Sequence, residues 1–230
     1  MATIGVLLSG CGVYDGTEIH EAVFTLYELA VHNQHVVCIA PDAPQLQVVN
    51  HATGDTQQEQ RNMLVESARI TRGNITSIAN IDATTLDALV IPGGFGTAKN
   101  HTTWAIDGAQ ATIRADVRDL IRTMVEMKKP IVGLCMAPTT IAKALQGSEY
   151  HATLTVGTTT EPSPYDITSI SEGINQVGSH AVNGSIREVV VDATNHIITA
   201  PCYMMEAGIL EVRNNVAQAI EALVTMLGTK

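Results

Sequence analysis

The chain has 230 residues, 45% of them hydrophobic, which suffices for a sizeable core and for one large domain expected to span residues 1–230. Aromatic residues make up only 3%, and 23 acidic against 13 basic residues leave a formal charge of −10. Scattered cations and scarce aromatics argue against nucleic acid, anionic membrane surfaces and base-stacking platforms as partners.

Taken in chain order, Thr3–Ser9 (TIGVLLS) reads as a buried strand, and not as a signal peptide, because no basic region precedes it. Glu18–Asn33 follows as a helix with apolar positions at Ile19, Val23, Leu26 and Ala30. Val36–Ala40 is a second strand stopped by Pro41, and Gln57–Arg72 an amphipathic helix. Ala88–Ile91 is a third core strand, ended by Pro92-Gly93-Gly94. After a helix over Ile113–Met127, the strand Ile131–Leu134 passes at once into a helix reaching about Leu145. Leu154–Val156, Glu188–Asp192 and Ile197–Ala200 suit further strands, and Leu210–Leu227 a last helix. No apolar run approaches the length that spans a bilayer.

Continuous apolar strands alternating with helices predict an α/β fold: a doubly wound, mostly parallel sheet covered on both faces. Sites in such sheets lie beyond the carboxyl ends of the strands. The loops at Gly10–Glu21, Gly93–Asn100, Cys135 and Pro201–Met204 are therefore expected to converge.

Four cysteines, Cys11, Cys38, Cys135 and Cys202, lie far apart and form no C-x-x-C. That usage reads as reduced and cytosolic. Cys38 belongs to a core strand, whereas Cys11 and Cys202 fall on carboxyl-end loops. Cys135 stands where strand becomes helix. Its neighbours two residues away, Gly133 and Ala137, are small enough for a strained elbow, and Pro138 suits the first helical turn. The helix dipole there favours thiolate, and the Met136 N–H together with one from Gly93-Gly94 could hold an oxyanion. The same thiol also reads as a buried small hydrophobe. Spacing alone leaves both readings open.

Gly10-Cys11-Gly12 opens like a dinucleotide loop, but Gly16 comes one residue too late for G-x-G-x-x-G. Asp15, Glu18 and Glu21 also crowd the helix start with negative charge, and only Asp42 speaks for a nucleotide. Glu18 suits a helix N-terminus as favourable charge. Glu21, one turn further in, would be partly desolvated with a raised pKa, and could act as general acid and base beside Cys135.

The strand, the GLCMAP elbow, the upstream IPGGFG and the E-x-x-E helix together resemble the ThiJ/PfpI superfamily. More closely, GVLLSGCGVYDGTEIHEAV, ESARITRG, DALVIPGGFGTAKN and TAPCYM resemble the ElbB family of enhancing lycopene biosynthesis (glyoxalase-like isoprenoid biosynthesis) proteins, from first strand to last helix. The resemblance implies a flavodoxin-like, class I glutamine amidotransferase-like fold, Cys135 as elbow cysteine, Glu21 as its partner and Glu18 as the outer glutamate. It also implies Gly93 and Gly94 on the oxyanion side, with Asn33 standing where the family's helix-ending glycine does.

Two departures narrow the chemistry. Met136 occupies the position where many members carry histidine, and His180-Ala-Val and His196-Ile-Ile do not supply the H-x-E of amidotransferases. Peptidase and glutamine-hydrolysing activities are therefore not expected. His180 remains a candidate distant partner, and His20 points elsewhere on its helix by spacing. The resemblance implies a cofactor-independent, metal-free glyoxalase-like enzyme converting glyoxal, a small aldehyde substrate, to glycolate through a Cys135 hemithioacetal. The alternative is a non-catalytic redox-sensing or partner-binding protein using a reactive Cys135. A homodimer is expected from the superfamily.

Overall fold

The computed structural model describes residues 1–228. Strand β1 (Thr3–Leu7) leads to helix α1 (Ile19–Val31), and β2 (His35–Ala40) returns beside β1 in parallel. Glu18 caps α1, its carboxylate accepting the Glu21 N–H at 2.7 Å. Asn33 leaves the helix with φ of 54°, the left-handed turn a glycine often makes there.

A short pair, β3 (Val48–Val49) and β4 (Thr56–Gln57), precedes α2 (Met63–Ile70). The helix expected from Gln57 begins only at Met63, because the Asn62 side chain caps it by accepting the Leu64 and Val65 N–H groups. Next come β5 (Thr76–Ser77), β6 (Ala88–Ile91), α3 (Trp104–Asp107), α4 (Ala115–Glu126), β7 (Ile131–Leu134) and α5 (Ala137–Leu145). The chain ends with β8 (Thr153–Leu154), α6 (Ile167–Gln176), β9 (His180–Ala181), β10 (Val190–Asp192), β11 (Ile197–Ala200) and α7 (Ile209–Gly228).

Seven strands form one sheet in the order β10-β11-β7-β6-β1-β2-β5. All neighbours are parallel except β10 with β11. The doubly wound, mostly parallel expectation holds. The strand expected at Leu154–Val156 lies outside this sheet, since β8 pairs with β9 in a separate two-stranded one.

Val6, Leu7, Ile39, Leu89, Val90, Ile91, Ile131 and Leu134 are fully buried, each worth roughly 1.5–3 kcal/mol of transfer free energy. Because the central strands run parallel, their carboxyl ends share one edge. Hydrogen bonds tie the loops there together: Glu18 N–H to Gly93 O at 2.9 Å and Cys135 N–H to Ala200 O at 2.9 Å.

Candidate active site

Cys135 follows β7 directly and adopts φ of 56°, a conformation that costs a non-glycine residue on the order of 1–3 kcal/mol and persists only where the surroundings enforce it. Met136 then returns to the helical region and α5 starts at Ala137, with Pro138 in its first turn. Gly133 makes the elbow possible, since a Cβ there would lie 2.6 Å from Ile141 Cδ1 of α5.

The second wall is the turn after β6. A Cβ on Gly93 would collide with the Cys135 Cβ, and would lie 2.6 Å from Glu21 Oε2 and 2.9 Å from Cys135 Sγ. The bare glycine is thus the surface on which thiol and carboxyl meet. Its N–H donates to Glu21 Oε2 at 2.8 Å, and the Tyr203 N–H donates to Oε1 at 3.4 Å. The thiol is itself hydrogen-bonded to Glu21 and accepts the Gly94 N–H. Gly94 has φ of 96°, and a Cβ on it would run into the backbone of Gly16 and Glu18. The Met136 N–H takes no protein partner among the described residues. Sequence and structure agree in bringing Cys135, Glu21, Gly93, Gly94 and Met136 together.

Burial governs the ionisation. Glu21 is fully buried, and desolvation, helped by the Glu18 charge, pushes its pKa up to about 8 against the pull of the two N–H groups. Glu18 is also raised by burial, opposed by the N–H groups of its own helix start. For Cys135 the outcome differs from the thiolate expected at a helix N-terminus. Burial first and the neighbouring Glu21 charge second push the thiol well above its usual value, and the Gly94 N–H only moderates this. The resting pair at neutral pH is a thiol beside a largely protonated carboxyl.

Sequence reasoning missed the surroundings. Tyr203, whose N–H holds Glu21, bonds through its hydroxyl to His20 Nδ1 at 2.8 Å. His20 is therefore on the rim of the site and not turned away from it, as its spacing had implied. Tyr165 packs edge-on against Phe95 at 5.8 Å, and burial with the Cys135 and Glu21 charges raises its hydroxyl to about 12. That neutral hydroxyl has no hydrogen-bond partner among the described residues, so it is a free donor at the mouth. The chain has only eight aromatic residues, and three of them, Phe95, Tyr165 and Tyr203, lie around this site. Their scarcity was the signal available.

The other candidates lie apart or play support. Cys202 is fully buried behind Cys135, its N–H held by Asn215 Oδ1 at 3.0 Å. Cys38 sits in β2 with burial raising it to about 11, while the partly exposed Cys11 is raised by burial and by Glu66. His180 is exposed on β9, its N–H bonded to Ala152 O, and nothing joins it to the thiol. The Gly10–Gly16 loop is folded on itself, with the buried Asp15 carboxylate accepting the Val49 N–H at 2.7 Å, so it offers no phosphate cradle. No group of three or more His, Cys, Asp or Glu side chains suited to a metal occurs among the described residues.

No family model matches the chain. It is 38% identical over 232 residues to the ES1 protein homolog, mitochondrial, of Rattus norvegicus, covering 99% of this chain and 85% of that protein. It is 38% identical over 231 residues to glutamine amidotransferase-like class 1 domain-containing protein 3, mitochondrial, of Homo sapiens, covering 99% and 84%. Among solved structures, an isoprenoid biosynthesis protein with amidotransferase-like domain from Ehrlichia chaffeensis matches with a TM-score of 0.89 at 32% identity, over 99% of this chain and 100% of that one. Drosophila melanogaster DJ-1beta shares the fold, with a TM-score of 0.55 at 18% identity over 99% and 97%. The mitochondrial names of the relatives overturn the cytosolic expectation. Unpaired thiols indicate a reducing compartment, and the mitochondrial matrix is one as well, so cysteine usage does not separate the two.

Proposed function

The chain belongs to the family of the ES1 and glutamine amidotransferase-like class 1 proteins, within the ThiJ/PfpI superfamily, as its motifs had implied, and from that premise we propose that it is a cofactor-independent glyoxalase-like enzyme. The observation that carries the reading is the Glu21 carboxyl held by the Gly93 and Tyr203 N–H groups against the Cys135 thiol.

Glu21 in its carboxylate form takes the thiol proton as sulfur bonds to one aldehyde carbon of glyoxal. The proton then passes to the aldehyde oxygen, giving the hemithioacetal. The same carboxylate removes the hydrogen from that carbon, leaving an enediolate, and returns it to the neighbouring carbon while the hydroxyl proton of the first carbon passes to the second oxygen. The product is a thioester of glycolate with no net change of oxidation state. Water hydrolyses the thioester, releasing glycolate and the Cys135 thiol. Oxygen charge that develops on the way would meet the Gly94 and Met136 N–H groups and the Tyr165 hydroxyl. A carboxyl with a pKa of about 8 is near the pH at which it must both take and give a proton.

A peroxide-sensing role fits the site less well, because the thiolate is the oxidisable form and burial holds Cys135 protonated. Glutamine hydrolysis lacks a histidine at the thiol. A homodimer is also proposed: α1 leaves Ile19, Val23, Tyr27 and Val31 exposed in one four-residue-spaced row, and sedimentation at low micromolar concentration tests it. Glycolate formed from glyoxal is the product that the assay reads. If Cys135→Ser folds normally and keeps full glyoxal turnover, the reading is wrong.

A further inference from the structure

A groove of about 430 Å³ reaches Met136, the residue that follows the thiol. Its lining includes Phe95, Met136 and Tyr165: Phe95 follows Gly94 and Met136 follows Cys135 in the chain, and the Tyr165 hydroxyl feels the Cys135 and Glu21 charges. Trp104 of α3 forms a wall, and Gly173 of α6 leaves room for the indole, since a Cβ there would lie 2.8 Å from Trp104 Cζ2. Asp166, Ser169 and Glu172 form the outer rim, and no Lys, Arg or His lines the groove. Glyoxal has four heavy atoms and would leave such a volume nearly empty, whereas pockets of roughly 300–1,000 Å³ are filled by ligands several times larger.

We propose that this groove receives the non-reacting part of the substrate. The substrate class is an α-oxoaldehyde bearing an aromatic or bulky apolar group, neutral or cationic at its far end and not anionic. The inference rests on the glyoxalase reading and extends it from the reacting carbons to their substituent. The aromatic ring would lie between Trp104, Phe95 and Tyr165, where its apolar area leaves water. Its far end would meet the Asp166 and Glu172 carboxylates, which repel a carboxylate or phosphate.

The test compares glyoxal with phenylglyoxal on the wild type and on Ser169→Phe, which keeps the backbone N–H that caps α6 and puts a ring into the groove from its exposed rim. The expected result is a kcat/KM for phenylglyoxal at least about tenfold above that for glyoxal. Ser169→Phe should cut the phenylglyoxal value about fivefold or more and leave glyoxal within about twofold. A wild type that prefers glyoxal, or a variant that affects both substrates alike, overturns the proposal. Because Trp104 is the chain's one tryptophan, its fluorescence supplies an arm independent of turnover. Benzylamine should quench or shift it saturably, benzoate should not, and Ser169→Phe should abolish the response. If neither aldehyde is turned over, the glyoxalase reading fails while this arm still decides the groove: no response to benzylamine, or an equal response to benzoate, overturns it.

Discussion

Cys135 and Cys202 make an internal comparison. Both follow neighbouring parallel strands, β7 and β11, and both sit in the left-handed region, with φ of 56° and 46°. Burial raises the pKa of both. Their difference lies in what faces the sulfur. Cys135 has a carboxyl and the Gly94 N–H hydrogen-bonded to it, an open Met136 N–H beside it and 5% of its surface exposed. Cys202 has no exposed surface and lies behind the Cys135 backbone. Backbone strain and pKa therefore do not separate the two thiols. A proton partner and an opening to solvent do.

The comparison can be broken most directly by exchange of the thiols themselves. Cys135→Ser is expected to lower glyoxal turnover by at least about 10³-fold, whereas Cys202→Ala should leave it within about threefold. Equal losses in steady-state assays would show that the buried thiol takes part in the chemistry. Removing the proton partner comes next: Glu21→Gln should cost about 10²–10⁴-fold in kcat. It should also abolish the rise of kcat/KM through about pH 8 that ionisation of Glu21 gives the wild type.

Gly93→Ala tests the shared contact surface, because its methyl must push Cys135 and Glu21 apart. A loss of about 1–3 kcal/mol in denaturant unfolding is expected, together with the activity. Burial of the Glu21 carboxyl also makes stability depend on pH. Glu21 ionises near its ordinary 4.5 when unfolded but only near about 8 in the fold, so the folded protein holds an extra proton between those values. Its stability should fall as pH rises from about 5 to 9, and the wild type should lose more than Glu21→Gln over that range in paired melts. A flat difference would mean that Glu21 is not buried as a carboxyl in solution. Least of all, Cys202→Ala should cost about 1 kcal/mol, the removal of one packed sulfur.

Much of the fold was legible because the central strands are short, continuous apolar runs between turn residues, as at Ala88–Ile91 and Ile131–Leu134. The elbow was legible for the same reason, with Gly133, Ala137 and Pro138 marking where strand turns to helix. Helix α6 was not, since ITSISEGINQ carries three isoleucines, two serines and a glycine that all disfavour helix. It forms because Asp166 caps it by accepting the Ser169 N–H at 3.0 Å and because Ile167 and Ile174 are buried. Tyr203 lies in the Pro201–Met204 loop that was expected at the site, but its contacts with Glu21 and His20 were not legible, and Tyr165 comes from a segment with no strand pattern to place it. The thiol's ionisation was misread because a helix dipole shows in sequence, while the extent of burial does not.

The two margins of the large sheet bear on how the molecule meets other molecules. β5 at one margin has two residues and β10 at the other has three, the latter running against its neighbour. Such stubs give an incoming strand too few free N–H and C=O groups to template its addition. Ribbon-to-ribbon growth, the usual route from exposed sheet edges to fibrils, is closed off at both ends.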